Sequence, residues 1–107
     1  MSLDVHLTKM YPTIVFSYHI THNLSEMASE AHIYEYLWHP EKLEITEARQ
    51  LVGPLMAGLR ILKSDPAYFK KFNPENGWGS YNDLIIFVTA YLQACESYPD
   101  ADISVSR

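Results

Sequence analysis

Cysteine is nearly absent from this 107-residue chain: Cys95 stands alone, so no intrachain disulfide can form. Basic residues are few, eight Lys and Arg against 13 Asp and Glu, which leaves a net charge of −5 with neutral histidines. The only adjacent basic pair is Lys70-Lys71. A chain so poor in clustered cations is poorly suited to the phosphates of DNA, RNA or anionic lipid, and neither nucleic acid nor membrane is expected as a partner. Long apolar runs are missing too. The longest, Leu84 to Val88, is far short of the roughly 20 residues a membrane span needs. The first residues, Met1-Ser2-Leu3-Asp4, lack the charged-then-apolar pattern of a signal peptide, and the expected compartment is the cytoplasm.

Motifs with a known mechanism are also lacking. There is no GxxxxGK[ST], no HExxH, no CxxC and no GxSxG. The carboxylates are scattered. His19-x-x-His22, with His6 on a neighbouring strand, invites a metal reading, but strand residues three apart face opposite ways. The expectation is therefore a non-enzymatic protein with no cofactor and no metal.

What remains is ordinary globular stock with one excess. Apolar residues at 48% suffice for one core, so residues 1–107 read as a single domain. Eight Tyr, four Phe and two Trp make aromatic usage high. Such residues fill cores, but they also line ligand pockets and subunit interfaces.

The hydrophobic period changes along the chain. Leu3, Val5 and Leu7 alternate with Asp4, His6 and Thr8, as in a half-buried strand. Thr13 to Ile20 is β-branched and aromatic and reads as a second strand, with Tyr11-Pro12 as the turn of a hairpin. Helical spacing follows from Leu24, with Asn23 as its cap and Glu26 as its capping-box partner. A break falls near His32, and Pro40 ends the stripe of Tyr34, Leu37 and Trp38. Thr46 is the expected cap of a helix whose apolar face runs Ala48, Leu51, Val52, Leu55, Met56, Leu59 and Leu62. Gly53-Pro54 predicts a kink there, or two short helices end to end. Asp65-Pro66 opens a short helix through Phe72, and Ser80 with Asp83 caps the last, which stops at Tyr98-Pro99-Asp100. Ile103 and Val105 alternate with polar neighbours as a short strand. The fold class expected is α+β: an N-terminal β-hairpin, a block of three to five helices, and a C-terminal strand returning to the sheet.

Two segments carry the candidate site. In Asn76-Gly77-Trp78-Gly79-Ser80-Tyr81, two glycines bracket an indole just before a helix start, where free N–H groups and the positive dipole end favour anions. Trp78 and Tyr81 would pack a ring, Asn76 would read polar edges, and the backbone at Ser80 would hold a phosphate. Turn chemistry accounts for the same residues as a tight loop plugged by Trp78. Thr21-His22-Asn23 is a second wall, with His22 and Asn23 as polar site groups or as helix-start structure. Trp38, beside His39-Pro40, either packs in the core or frames a groove. Arg60 and Arg107 are the arginines available to pair with phosphate.

Four words of the chain resemble a family of small proteins encoded by bacteriophages, prophages and bacteria. They are Thr-His-Asn-Leu-x-x-Met-Ala (21–28), Ile-Tyr-x-x-Leu-Trp-x-Pro (33–40), Phe-Asn-x-x-Asn-Gly-Trp-Gly-x-Tyr (72–81) and Ile-Ser-Val-Ser-Arg (103–107). The resemblance spans nearly the whole chain. It implies a phage or prophage setting, hence the host cytoplasm, and carries no fold, activity or catalytic residue with it. In that setting the residues suggest an accessory protein that sequesters a ring-bearing, partly anionic molecule, such as a nucleotide-derived signal, and so counters host defence. The alternative is an inhibitor or adaptor that grips a host defence protein through its aromatics, as a homo-oligomer or alone.

Overall fold

The computed structural model describes residues 2–9 and 13–107. The Tyr11-Pro12 turn lies outside these residues. Strands β1 (Ser2–Lys9) and β2 (Thr13–Thr21) pair antiparallel, and β3 (Asp102–Ser106) pairs antiparallel with the other edge of β1, giving the order β2-β1-β3. The fold is α+β, with the C-terminal strand returned to the sheet.

Register decides which face is buried. Leu3, Val5 and Leu7 of β1 lie opposite Ile20, Tyr18 and Phe16 of β2, and Val5 and Leu7 lie opposite Val105 and Ile103 of β3. Opposed residues of an antiparallel pair share a face. These apolar side chains therefore form one surface, on which the three from β1 are wholly buried. Asp4, His6 and Thr8 project from the other face. Between Leu7 and Thr8 the register slips, leaving Val15 unpaired in a bulge.

All helices described lie on the apolar face. A 3-10 turn (His22–Leu24) leads into α1 (Ser25–Glu30). His32, at a left-handed φ of 63°, reverses the chain into α2 (Tyr34–Trp38), and a second 3-10 turn (Pro40–Leu43) follows. The long helices α3 (Arg49–Ser64) and α5 (Tyr81–Ser97) pack on each other and flank the short α4 (Pro66–Lys70). Phe87 and Tyr91 of α5 meet Tyr18 and Phe16 of β2, with ring centroids 5.5 and 5.8 Å apart. No helix among the described residues is long and apolar enough to cross a membrane.

Three local expectations change. Thr21, not Asn23, caps the first helical turn: its Oγ1 accepts from the Asn23 N–H at 3.2 Å. Thr46 does not cap α3. Gln50 reaches back instead, its Oε1 accepting from the N–H groups of Thr46 (2.8 Å) and Glu47 (3.0 Å). The next two N–H groups, of Ala48 and Arg49, donate to the carbonyls of Ala101 and Pro99. The helix start is thus satisfied by the segment that leads into β3. Third, Gly53-Pro54 does not divide α3 into two helices. Pro54 sits in its second turn, where its missing N–H costs the Gln50 carbonyl its helical partner without ending the helix. Along α3, Met56 turns outward and Gly58 is buried in its place.

Gly58 marks the tightest approach in the core. A methyl group there would stand 2.2 Å from Ile33 Cγ2, just ahead of α2. Gly58→Ala should therefore lower unfolding free energy by about 1–3 kcal/mol in urea titrations, despite alanine's better helix propensity. Ile33→Ala also destabilises, and the double variant should lose less than the two single losses added together. Strict additivity would place the conflict elsewhere.

Candidate functional site

The segment joining α4 to α5 is built by its own side chains. Asn73 Oδ1 accepts from the Tyr81 N–H (2.8 Å), Asn76 Oδ1 from the Trp78 N–H (2.9 Å), and Ser80 Oγ from the Asp83 N–H (3.2 Å). Gly77 N–H bonds the Pro74 carbonyl at 3.2 Å. Gly77 and Gly79 take left-handed φ of 76° and 105°, which side chains disfavour. Gly79 is required twice over. A Cβ on it would lie 2.7 Å from Thr21 Cγ2 and 3.2 Å from Leu24 Cγ, so only glycine lets the loop close onto the end of β2.

That closure joins the two expected walls. Asn23 Nδ2 donates to the Trp78 carbonyl at 3.3 Å, across 55 residues of sequence. The Trp78 backbone is thus held by Asn76 on one side and Asn23 on the other, while its indole is 72% exposed. The ring stands between two grooves. One, of about 500 Å³, runs along β2 and α5 and is lined by Tyr18, Ile20, Thr21, Trp78, Asp83 and Ile86, among others. The second, of about 720 Å³, is lined by Ser2, His19, Thr21, His22, Asn23, Asn76 and Trp78. Among the described residues, no Lys or Arg lines either groove.

The second groove gathers His22, Asn23, Asn76 and Trp78. His22 has a defined tautomer. Trp38 Nε1 donates to His22 Nδ1 at 3.2 Å. An indole nitrogen can only donate, so neutral His22 carries its proton on Nε2. That Nε2 is buried and has no partner among the described residues. The groove therefore offers a flat indole and carboxamide N–H groups, while the His22 Nε2–H is shielded from solvent.

Other expected site residues take structural places. Tyr81 is buried, and its phenol donates to the Leu62 carbonyl at 2.6 Å, tying α5 to the end of α3. Burial raises its pKa. Ser80 Oγ is the helix cap, and with Asn73 it already engages N–H groups that a phosphate would need. Trp38 is in the core, stacked on Tyr34 at 5.3 Å. Arg107 donates to the Trp38 carbonyl (2.7 Å) and to Glu41 Oε1 (2.9 Å), locking the end of β3 to the segment after α2. Arg60 lies exposed on α3 and lines neither groove.

Tyr18, His19 and Ile86 line the grooves without having been expected there as ligand contacts. Alternation puts Tyr18 on the core face, but β2 is an edge strand, so its ring is only partly covered. Ile86 falls off the buried stripe of α5. An apolar residue at that helical position was the available signal. Comparison with protein-family models, with curated proteins and with solved structures gave no match.

Cys95 is far from nucleophilic. Burial pushes its thiol up to about 12, leaving roughly a thousandfold less thiolate at pH 8 than an ordinary cysteine has. A disulfide reagent should label it slowly in the native protein and promptly in urea. Equal rates would show that the thiol is accessible.

The loop makes a second testable contrast. Gly77→Ala meets open space and bears only the backbone cost, about 1–2 kcal/mol. Gly79→Ala adds the clash with Thr21 and Leu24 and should be clearly worse in the same urea titration. Equal losses would mean that the loop does not press against β2.

Proposed function

We propose that this chain is a non-enzymatic binding protein that holds a flat, ring-bearing molecule against Trp78, in the groove shared with His22, Asn23 and Asn76. The observation that supports this is an indole left 72% exposed on a backbone pinned from both sides. Exposing a ring of this size forgoes much hydrophobic stabilisation, and fixing its backbone lowers the ordering cost of stacking on it. Stacked nucleobases gain about 1–3 kcal/mol each on such side chains. The Asn76 and Asn23 carboxamides suit the acceptor-rich edges of a heterocycle.

Nucleotide-derived signals are the ligand class to test first. In a phage or prophage setting, sequestering such a molecule would blunt a host defence that depends on it. Selectivity would rest on the ring and its edges, since no Lys or Arg lines the groove and the start of α5 is largely capped from within. A mononucleotide and its nucleoside should therefore bind within about tenfold of each other, because charge-assisted phosphate contacts are few.

Calorimetry against a panel of nucleosides, mononucleotides and cyclic dinucleotides tests this. Wild type should bind at least one member, and Trp78→Ala should weaken it by about tenfold or more, the equivalent of one stacked base. No binding by wild type to any member, or equal binding by the variant, would sink the reading.

A further inference from the structure

The two edges of the sheet are treated differently. Beyond β3, Thr46 and Glu47 cover part of the edge: the Ile103 N–H donates to the Thr46 carbonyl at 2.9 Å, and Glu47 bridges Asp102. Beyond β2, no strand pairs among the described residues. β2 is nine residues long and reads Thr-Ile-Val-Phe-Ser-Tyr-His-Ile-Thr, with no Lys, Arg, Asp, Glu, Pro or Gly. Open edges usually carry charges or proline that stop them from recruiting another strand. This one carries only the bulge at Val15, which leaves Phe16–Thr21 as a regular run.

We infer that the free edge of β2 is the seam of a homodimer, in which β2 pairs antiparallel with β2 of a second copy about a twofold axis at Tyr18. The two sheets then join into six strands, in the order β3-β1-β2-β2-β1-β3. At this register Tyr18 faces its own copy, Phe16 faces the partner's Ile20, and Ser17 faces the partner's His19. Aromatic and β-branched residues opposite one another are favoured cross-strand pairs.

Three observations select a second copy over an unrelated strand. First, the chain carries −5 overall, yet the seam strand is uncharged, so a copy can approach without like charges meeting. Second, the run from Phe16 to Ile20 is its own complement about Tyr18, since Phe16 meets Ile20 and Ser17 meets His19, apolar against apolar and polar against polar. Third, the groove between β2 and α5 exposes Tyr18 (37%) and Ile86 (55%) beside that edge. A strand added there places its Phe16 against them, and the pattern that fits is that of β2 itself. This seam rests on the strand edge and stands whether or not Trp78 holds a ligand.

Sedimentation equilibrium from micromolar to near-millimolar concentrations tests it. Wild type should show twice the chain mass at the upper end, and Ile86→Lys and Tyr18→Lys should halve that mass with an unchanged far-ultraviolet spectrum. Ile86 is exposed on a helix, so its variant reports on the seam even where Tyr18→Lys disturbs the contact with Phe87. A Tyr18→Cys variant, oxidised by copper phenanthroline, should give a disulfide-linked dimer on a non-reducing gel, with Cys95 buried and unreactive. A wild type that stays monomeric throughout overturns the proposal, as does a dimer that survives the Ile86 change or fails to cross-link through position 18.

Discussion

Leu3, Val5 and Leu7 are wholly excluded from solvent, and they lie on β1, which has a neighbour on each side. Three consequences follow. The odd positions of β1 demand a cover on one face, while Asp4, His6 and Thr8 require water on the other, so every described helix falls on the same side. Occupation of both β1 edges ties the start of the chain to its end. It also makes β2 and β3 the margins. The segment before α3 already runs beside β3, where its backbone supplies Thr46 and Glu47, and β2 keeps the open edge. The candidate surfaces therefore gather where β2 ends and where the α4–α5 loop folds down upon it.

Much of this was legible because the signals were local. The two-residue alternation of β1 and β3 needs no distant partner to be read. Asp65 accepts from the Tyr68 N–H, and Ser80 from the Asp83 N–H, as their spacing indicated. What was not legible depended on contacts made across the fold. Thr46 is a reasonable cap by residue type. However, the carbonyls of Ala101 and Pro99 arrive at the start of α3 and satisfy the N–H groups that follow it. Asn23 likewise looks like a cap, but its carboxamide is drawn to the Trp78 carbonyl, 55 positions away, and Thr21 takes the local role. Pro54 weakens α3 without dividing it, because packing against α5 outweighs one missing hydrogen bond.

The candidate site shows the same division. Two walls, 21–23 and 76–81, were recognisable from turn and cap residues, and the structure brings them together. Which side chains face outward was not recognisable, because residue type does not encode burial. Trp38 and Trp78 are chemically identical, yet one lies in the core donating to His22 and the other stands in solvent. The difference comes from their frames: Trp38 follows the buried side of α2, whereas Trp78 lies between glycines at left-handed φ that turn its backbone toward Asn23 and its ring away. Tyr81 reads as a ring-packing residue and Arg107 as a phosphate partner, yet the Tyr81 ring is buried and both polar tips are engaged, by the Leu62 and Trp38 carbonyls.

The bonding that shapes the loop also limits what it can recognise. Asn73, Asn76 and Ser80 each use an acceptor atom on a backbone N–H of the loop or of α5, so the helix start has little left to offer an anion. What remains outward are groups the scaffold does not use: the faces of the indole, the Asn76 carboxamide N–H groups and the strand edge. A charged phosphate gains little from such a set, whereas a planar heterocycle or another uncharged strand gains much. The acidic balance of the chain points the same way, since it discourages long-range capture of anions and leaves short-range shape and hydrogen bonding to discriminate. Trp78 is accordingly best understood as the hinge of two adjoining surfaces, one suited to stacking a ring and one to adding a strand. Gly79 is the residue that places the indole there, because it alone lets the loop come close enough to β2 for the ring to border both.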